Sequence, residues 1–312
     1  MSSAPRVSVI LPSYNRGALL SRAIATVLTQ SYRDFELLVI DDASDDDSAA
    51  RLAAIDDPRL RVLRQPQRGG AARARNAGLR AARGELVAFQ DSDDEWLVWK
   101  LEQQVALLDA SPAEVGWIGG TYLVEGGGRV YSVRSPSLIA GDGYEGELLI
   151  GEPFVTPTWL VRRAVIEAAG GFDESMPCLE DWDLIFKLAG RCRFRAVEDH
   201  VLMRHGSADG LYAHVGKRIA GLTVMLERHR ARWLTQPDQY ARWCAELSRL
   251  QAQSGQLDAA RRWLDEAAAH ESTRSPRIAA LRSAATIHPR LFARLSRSRL
   301  SAPFGKRSGQ AA

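Results

Sequence analysis

The sequence predicts an α/β fold: a mostly parallel sheet flanked by helices, followed by an α-helical C-terminal appendage. Three observations predict it. Short apolar, β-branched runs alternate with segments of helical period over the first third of the chain, and parallel strands need such long crossovers. Those runs end abruptly in loops rich in aspartate. The charge then changes sign along the chain. Residues 216–312 hold 18 Lys/Arg against 7 Asp/Glu, whereas residues 1–215 hold 23 against 31. A net of +11 behind a net of −8 suggests two modules with different partners, 1–212 and 213–312.

The elements follow in order. "VSVIL" (7–11) is a first strand and leads into the turn-like "PSYNRG". Leu19, Leu20, Ala23, Ile24, Val27 and Leu28 recur at helical spacing, which predicts a helix over 18–30. "FELLVI" (35–40) is a second buried strand that ends in Asp41 and Asp42. "SAARLAAI" is helical, "RLRVL" (59–63) a strand, "AARARNAGLRAA" helical, and "ELVAF" (85–89) a strand running to Asp91. Further on, "GWIGGTYLV" and "RVYSV" are two strands about a glycine turn, and "LEDWDLIFKLAG" starts a helix with Glu180, Asp181 and Asp183. From about 211 the strands stop. "DQYARWCAELSRLQAQSGQLDAARRWLDEAA" reads as an αα-hairpin whose second helix resembles that of a tetratricopeptide repeat. One such unit buries no core by itself, so it is expected to pack on the first module.

Composition excludes several classes. No apolar stretch approaches the ~20 residues of a membrane span, and "MSSAPR" lacks the apolar region of a signal peptide. A cytoplasmic protein is expected, unless something holds it to a membrane surface. Cys178, Cys192 and Cys244 are widely spaced without a CxxC pair, which suggests neither a disulfide framework nor a zinc site. On a helical wheel of "HPRLFARLSRSRL" (288–300), Leu291, Phe292 and Leu295 share one arc, and Arg290, Arg294 and Arg297 another. No acid follows Glu271. Such a helix fits the inner face of an anionic membrane, or equally a packing helix with a solvated basic rim. Nucleic acid is not expected, because no aromatic–basic platform accompanies the arginines.

"VAFQDSDDEWL" (87–97) sets Asp91, Asp93, Asp94 and Glu95 within five residues of one another. Crowded carboxylates repel unless a cation neutralises them. One such cluster is equally well a solvated turn; a second, "DDASDDD" (41–47), at the same sheet edge argues for a ligand. In open α/β sheets ligands bind beyond the carboxyl ends of the strands. A dinucleotide site would place GxGxxG after the first strand, where "PSYNRG" stands, and "GGAARARNAG" has no GKS or GKT ending. A bound diphosphate then needs another positive charge. Mg²⁺ or Mn²⁺ on aspartate oxygens would supply it.

Four blocks, "VSVILPSYNR", "FELLVIDDASDD", "ARNAGLRAARGELVAFQDSDDEW" and "GGFDESMPCLEDWDLIFKLA", together resemble the successive signatures of inverting family 2 glycosyltransferases of the GT-A fold. The resemblance covers roughly residues 1–210 and implies a donor half, 1–115, and an acceptor half, 116–212. By matching position, Pro12, Tyr14 and Asp42 would contact the base of a UDP-sugar, with Asp41 supporting their loop. Asp91 and Asp93 form the family's DxD motif, Asp93 being the candidate for direct metal contact. Arg75 and Asn76 match its "ARN" segment, Arg75 on the donor side, with helix capping or loop packing the alternative for Asn76. Asp181 takes the part of general base, Glu180 and Trp182 would orient the acceptor, and Asp183 would cap or support the helix. His205, in "VLMRHGSADG", would approach the metal or the diphosphate, an ordinary loop or core histidine being the alternative.

The implied reaction is a single displacement. A carboxylate takes the proton of the attacking acceptor hydroxyl, and a metal acting as Lewis acid neutralises the departing nucleoside diphosphate. The resemblance further implies a glycan or lipid-linked acceptor in surface polysaccharide or glycoconjugate assembly. Two rivals remain at this point. One is a nucleotide-sugar-binding scaffold without activity, against which Asp91, Asp93 and Asp181 together argue. The other is a sugar-1-phosphate nucleotidyltransferase, whose usual "GGxGTR"-like loop is missing after the first strand.

Overall fold

The computed structural model describes residues 4–126, 128–133, 155–205, 214–271, 279 and 281. Its centre is a mixed nine-stranded sheet. The first half alternates β1 (Val7–Ser13), α1 (Gly17–Leu28), β2 (Phe35–Asp41), α2 (Ser48–Ala53), β3 (Leu60–Arg64), α3 (Ala71–Ala81) and β4 (Leu86–Phe89). These strands are parallel in the order β3-β2-β1-β4. The chain moves outward from β1 to β3 and then returns to the other side of β1. That reversal opens a crevice at the carboxyl ends of β1 and β4.

The second half turns antiparallel. After β5 (Glu95–Trp96) and α4 (Lys100–Asp109) come β6 (Val115–Gly126) and β7 (Arg129–Val133), paired as the expected hairpin. The three-residue β8 (Leu160–Arg162) slips between β4 and β6, antiparallel to both. Helices α5 (Arg163–Ala168) and α6 (Glu180–Ala189) follow, and β9 (Arg193–His205) runs parallel to β6 and antiparallel to β5. The rest is helical: α7 (Val215–Arg228), α8 (Arg230–Trp233), α9 (Pro237–Gln253) and α10 (Leu257–His270). The α9–α10 pair is the hairpin expected from its periodicity.

Both faces of the sheet are covered, so its strands are apolar throughout rather than alternating. Val7, Val9 and Leu11 of β1 face the α1, α2 and α4 side, while Ile10 faces α3. Gly78 lets α3 approach closely, because a Cβ there would lie 2.4 Å from Ile10 Cγ2. The α3 side of the core continues without a break through α5 and α6 into Trp233, Tyr240, Leu247 and Leu264 of the C-terminal helices. All three cysteines are free. Among the described residues, no helix is long and apolar enough to cross a membrane. The basic segment 288–300 lies outside the described residues, as does most of the 135–157 loop.

Candidate active site

Three loops meet at the carboxyl edge of β1, β2 and β4, and the start of α6 faces them. Strain marks three of these four places. Among the described residues, the non-glycine positions with positive φ are Asn15 (51°) after β1, Ala43 (62°) after β2 and Leu179 (64°) before α6. Such conformations cost of order 1–3 kcal/mol and persist where the surroundings over-determine them.

The "DDASDDD" loop is largely a scaffold. Asp42 is buried, and its two oxygens accept the N–H groups of Gly69 and Gly70 at 2.8 and 2.7 Å. It therefore occupies the N–H groups at the start of α3, which would otherwise be open to an anion. Asp41 accepts from Ser44 N at 2.9 Å and pairs with Arg64 at 3.3 Å, so it braces the same loop. Asp45 and Asn15 bond reciprocally, and Asp46 accepts from Gly17 N at the start of α1. Tyr14 is half-buried with the Arg68 guanidinium 4.1 Å from its ring centroid, and Pro12 is half-buried at the end of β1.

The second cluster is differently neutralised. Arg75, buried on α3, donates from Nη2 to Asp91 Oδ1 at 2.9 Å and from Nη1 to Glu180 Oε1 at 2.8 Å. Burial opposes its charge, but Asp91 and Glu180 outweigh that and hold its pKa above the ordinary value. Among the described residues the Asp93 carboxylate forms its ion pair with Arg16, at 3.6 Å, and Arg204 attracts it from further off. Burial and then the charge of Asp91 push Asp93 up from the usual carboxylate range. The same two causes push Asp94 up to about 8, although its Oδ1 accepts His205 N–H at 3.0 Å. Arg22 on α1 donates to the Asp93 carbonyl at 2.8 Å and pairs with Glu95 at 3.2 Å.

A divalent cation suits this donor set in charge and in ligand type. Hard carboxylate oxygens crowd together with less positive charge than their ionised forms require. No group of three metal-ligating side chains is preassembled among the described residues. Mg²⁺ commonly takes one or two carboxylates and completes its shell with substrate phosphates and water, so a preassembled cage is not needed.

At the facing edge, α6 begins with Glu180, Asp181 and Asp183 in its first turn. Asp181 is half-buried; its Oδ2 accepts from Thr156 Oγ1 at 3.2 Å and its Oδ1 from Trp182 N at 2.8 Å. Among the described residues it has no cation at ion-pairing distance. Every other acid of the two clusters that lies in the crevice is braced by backbone or cation.

Residues 8–169 match the family described as Glycosyl transferase family 2, more than half of the chain. The chain belongs to glycosyl transferase family 2. As a family 2 member it is 43% identical over 102 residues to the Escherichia coli UDP-Glc:alpha-D-GlcNAc-diphosphoundecaprenol beta-1,3-glucosyltransferase WfgD, covering 33% of this chain and 40% of WfgD. It is 29% identical over 259 residues to the succinoglycan biosynthesis protein ExoO of Rhizobium meliloti, covering 78% of this chain and 74% of ExoO. The chain thus spans well under half the length of WfgD. Residues 1–349 of S. aureus TarS, solved with UDP-GlcNAc, superpose with a TM-score of 0.67 at 17% identity over 93% of this chain and 90% of that one. The Pyrobaculum calidifontis mannosyltransferase PcManGT, solved with GDP-Man and Mn²⁺, gives 0.60 at 22% identity over 95% and 85%. The fold is GT-A, as the four sequence blocks imply.

Against that family pattern, several residues stand elsewhere than the sequence suggests. Trp182 is not open to a sugar: it is 2% exposed, with ring centroids 5.5 Å from Trp233 and 4.8 Å from Trp243. The C-terminal helices cover that face of α6. Glu180 is likewise buried against Arg75 rather than presented to an acceptor, and burial followed by the charge of Asp181 raises its pKa. Arg75 braces two carboxylates instead of reaching openly into the donor crevice. His205 has both ring nitrogens on carboxylates, Glu125 at 2.7 Å and Glu95 at 2.8 Å, rather than on Asp93. Asn76 packs the loop before α6, exchanging hydrogen bonds with the backbone of Phe172 at 2.8 and 3.0 Å. Sequence reasoning missed Arg16 and Arg22. Six residues is not a helical repeat, so no local pattern pairs them.

Proposed function

We propose that the protein is an inverting glycosyltransferase of surface polysaccharide or glycoconjugate assembly. It moves a sugar from a UDP-sugar, with a divalent metal, to a hydroxyl of a glycan or lipid-linked acceptor. Residues 1–212 are the catalytic unit of this reading and 213–312 its helical unit. The observation that carries it is Asp181, at the start of α6 and without an ion-pair partner among the described residues, facing a second cluster in which Asp93 meets its arginine only at 3.6 Å. The activity for which WfgD is named, on a diphosphoundecaprenol acceptor, and the UDP-GlcNAc bound to TarS support the donor and acceptor classes.

Pro12, Tyr14 and Asp42 would line the base site, Asp41 would keep its loop in place, and Asp91 would orient the donor. Asp93 would hold the metal, with His205 reaching it only after exchanging a carboxylate partner. A metal bound there supplies charge neutralisation at the leaving diphosphate. Asp181 takes the proton from the acceptor hydroxyl, its orientation fixed by Thr156 and by the N–H of Trp182. A cytoplasmic enzyme held at the inner face of the membrane by its basic C-terminal segment completes the reading.

The test is a transfer assay across UDP- and GDP-sugars with Mn²⁺ or Mg²⁺, following nucleotide release with and without lipid-diphosphate acceptors. Release from a UDP-sugar that needs metal and rises with acceptor is expected. Tight nucleotide-sugar binding without any release would make the protein a binding scaffold instead.

A further inference from the structure

Helix α6 presents the proposed base on one side and a buried anchor on the other. At about 100° per residue, Asp181 and Asp183 project about 200° apart, so only one of them can face the crevice. Asp183 is fully buried. Its Oδ1 accepts from His229 Nε2 at 2.8 Å and from Arg228 Nη1 at 3.0 Å, and its Oδ2 pairs with Lys187 Nζ at 2.5 Å. Arg228 and His229 stand at the end of α7; Lys187 is one turn further along α6 itself. Arg228 also binds Asp173, at 2.7 Å, in the loop that leads into α6.

The same helices touch α6 along its length. A Cβ on Gly221 of α7 would come within 2.7 Å of the Cys178 carbonyl oxygen, one residue before the strained Leu179. Trp182 lies against Trp233 and Trp243, and Arg232 donates to the Phe186 carbonyl. Stability alone is a poor account of the ionic part. A buried ion cluster is often matched or bettered by apolar packing of the same volume, because desolvation offsets its attraction. What directional bonds do, and apolar contacts do not, is fix how far a helix is rotated and advanced.

We infer that Asp183, with Arg228 and His229, is a positioning device: the C-terminal helices hold α6 in the rotation that aims Asp181 at the acceptor hydroxyl. This rests on Asp181 being the base. Asp183, Arg228 and His229 touch no substrate and act through the helix. Proton transfer needs its partners within hydrogen-bond reach, and a misplacement of about 1 Å can cost roughly 100-fold.

The full-length protein tests it through His229→Ala, His229→Gln and Asp183→Asn. Turnover and donor KM are measured per folded molecule, counted by UDP-binding stoichiometry, with thermal unfolding alongside. In His229→Ala, kcat falls roughly 10- to 100-fold while donor KM and UDP affinity hold. His229→Gln, whose amide still donates to Asp183, recovers most of that loss. A lower unfolding temperature with unchanged kcat per folded molecule overturns the positioning role, as does a failure of His229→Gln to recover. If Asp183→Asn does not fold, the His229 pair decides. A wild-type protein that transfers no sugar overturns the glycosyltransferase reading instead, which separates the two failures.

Discussion

Arg75 and Glu180 lie 105 residues apart in the chain and 2.8 Å apart in the fold. The same guanidinium holds Asp91, so the loop after β4 and the start of α6 are joined through one buried side chain. That side chain ties the two edges of the crevice together, in addition to the β4–β8 and β5–β9 pairing of the sheet.

Removing that guanidinium strands two carboxylates. Arg75→Met is expected to destabilise the protein by about 3–5 kcal/mol, the usual cost of breaking a buried ion pair by deleting one partner. Arg75→Lys has one ammonium for two acceptors and is expected to fall between the two. Chemical denaturation curves measure both; a wild-type midpoint for Arg75→Met would show that the acids are solvated instead.

Asp93 meets its arginine only at 3.6 Å, so it should govern metal dependence. UDP is expected to bind more tightly with Mn²⁺ than in EDTA, and Asp93→Ala should abolish the difference. Calorimetry decides this, and equal affinity in EDTA for the wild type would remove the metal from the reading.

Asp181→Asn keeps the size and the Thr156 contact but cannot take a proton. Turnover is expected to fall by about 10²–10⁴-fold with UDP affinity nearly unchanged. Near-normal turnover would place the base elsewhere.

Asp183 links stability to acidity. Burial pushes its carboxyl up, but the bonds from His229, Lys187 and Arg228 outweigh burial and hold it well below the usual range. A lowered folded pKa means that the unfolded chain binds more protons in acid. The stabilisation is then complete above the unfolded value of about 3.9 and is lost progressively as the pH falls from there through the lower folded value. Wild type should lose stability from about pH 5 downward more steeply than Asp183→Asn. Parallel denaturation midpoints for the two proteins across that range would contradict the ion cluster.

The C-terminal basic segment is expected to bind anionic vesicles, since each Lys or Arg near such a surface contributes about 1 kcal/mol. Sedimentation with phosphatidylserine or phosphatidylglycerol vesicles should show binding that weakens with salt and drops when residues 286–312 are deleted. Indifference of the full-length protein at low salt would leave the segment a packing element.

Much of this architecture is local and therefore legible. The alternation from Val7 to Phe89, the β6–β7 hairpin and the α9–α10 hairpin all announce themselves by period and by turn residues. The middle of the sheet does not. β8 is three residues long, and its place between β4 and β6 depends on partners some 40 and 70 residues away that no local pattern encodes. The site divides in the same way. Acids can be found by reading, but which are spent on scaffolding depends on where arginines and loop N–H groups arrive. Asp42 and Asp46 serve backbone N–H groups, whereas Asp93 meets Arg16 at 3.6 Å. Trp182 was misjudged because exposure on α6 is set by helices that follow it in sequence.

With the carboxylate of Asp42 already seated on Gly69 and Gly70, the anion site at the start of α3 is closed from within. Free phosphate, sulfate and ordinary metabolite anions find no vacancy there, however abundant they are. Selectivity among anions then begins before any contact with the sugar, through what the fold declines to hold.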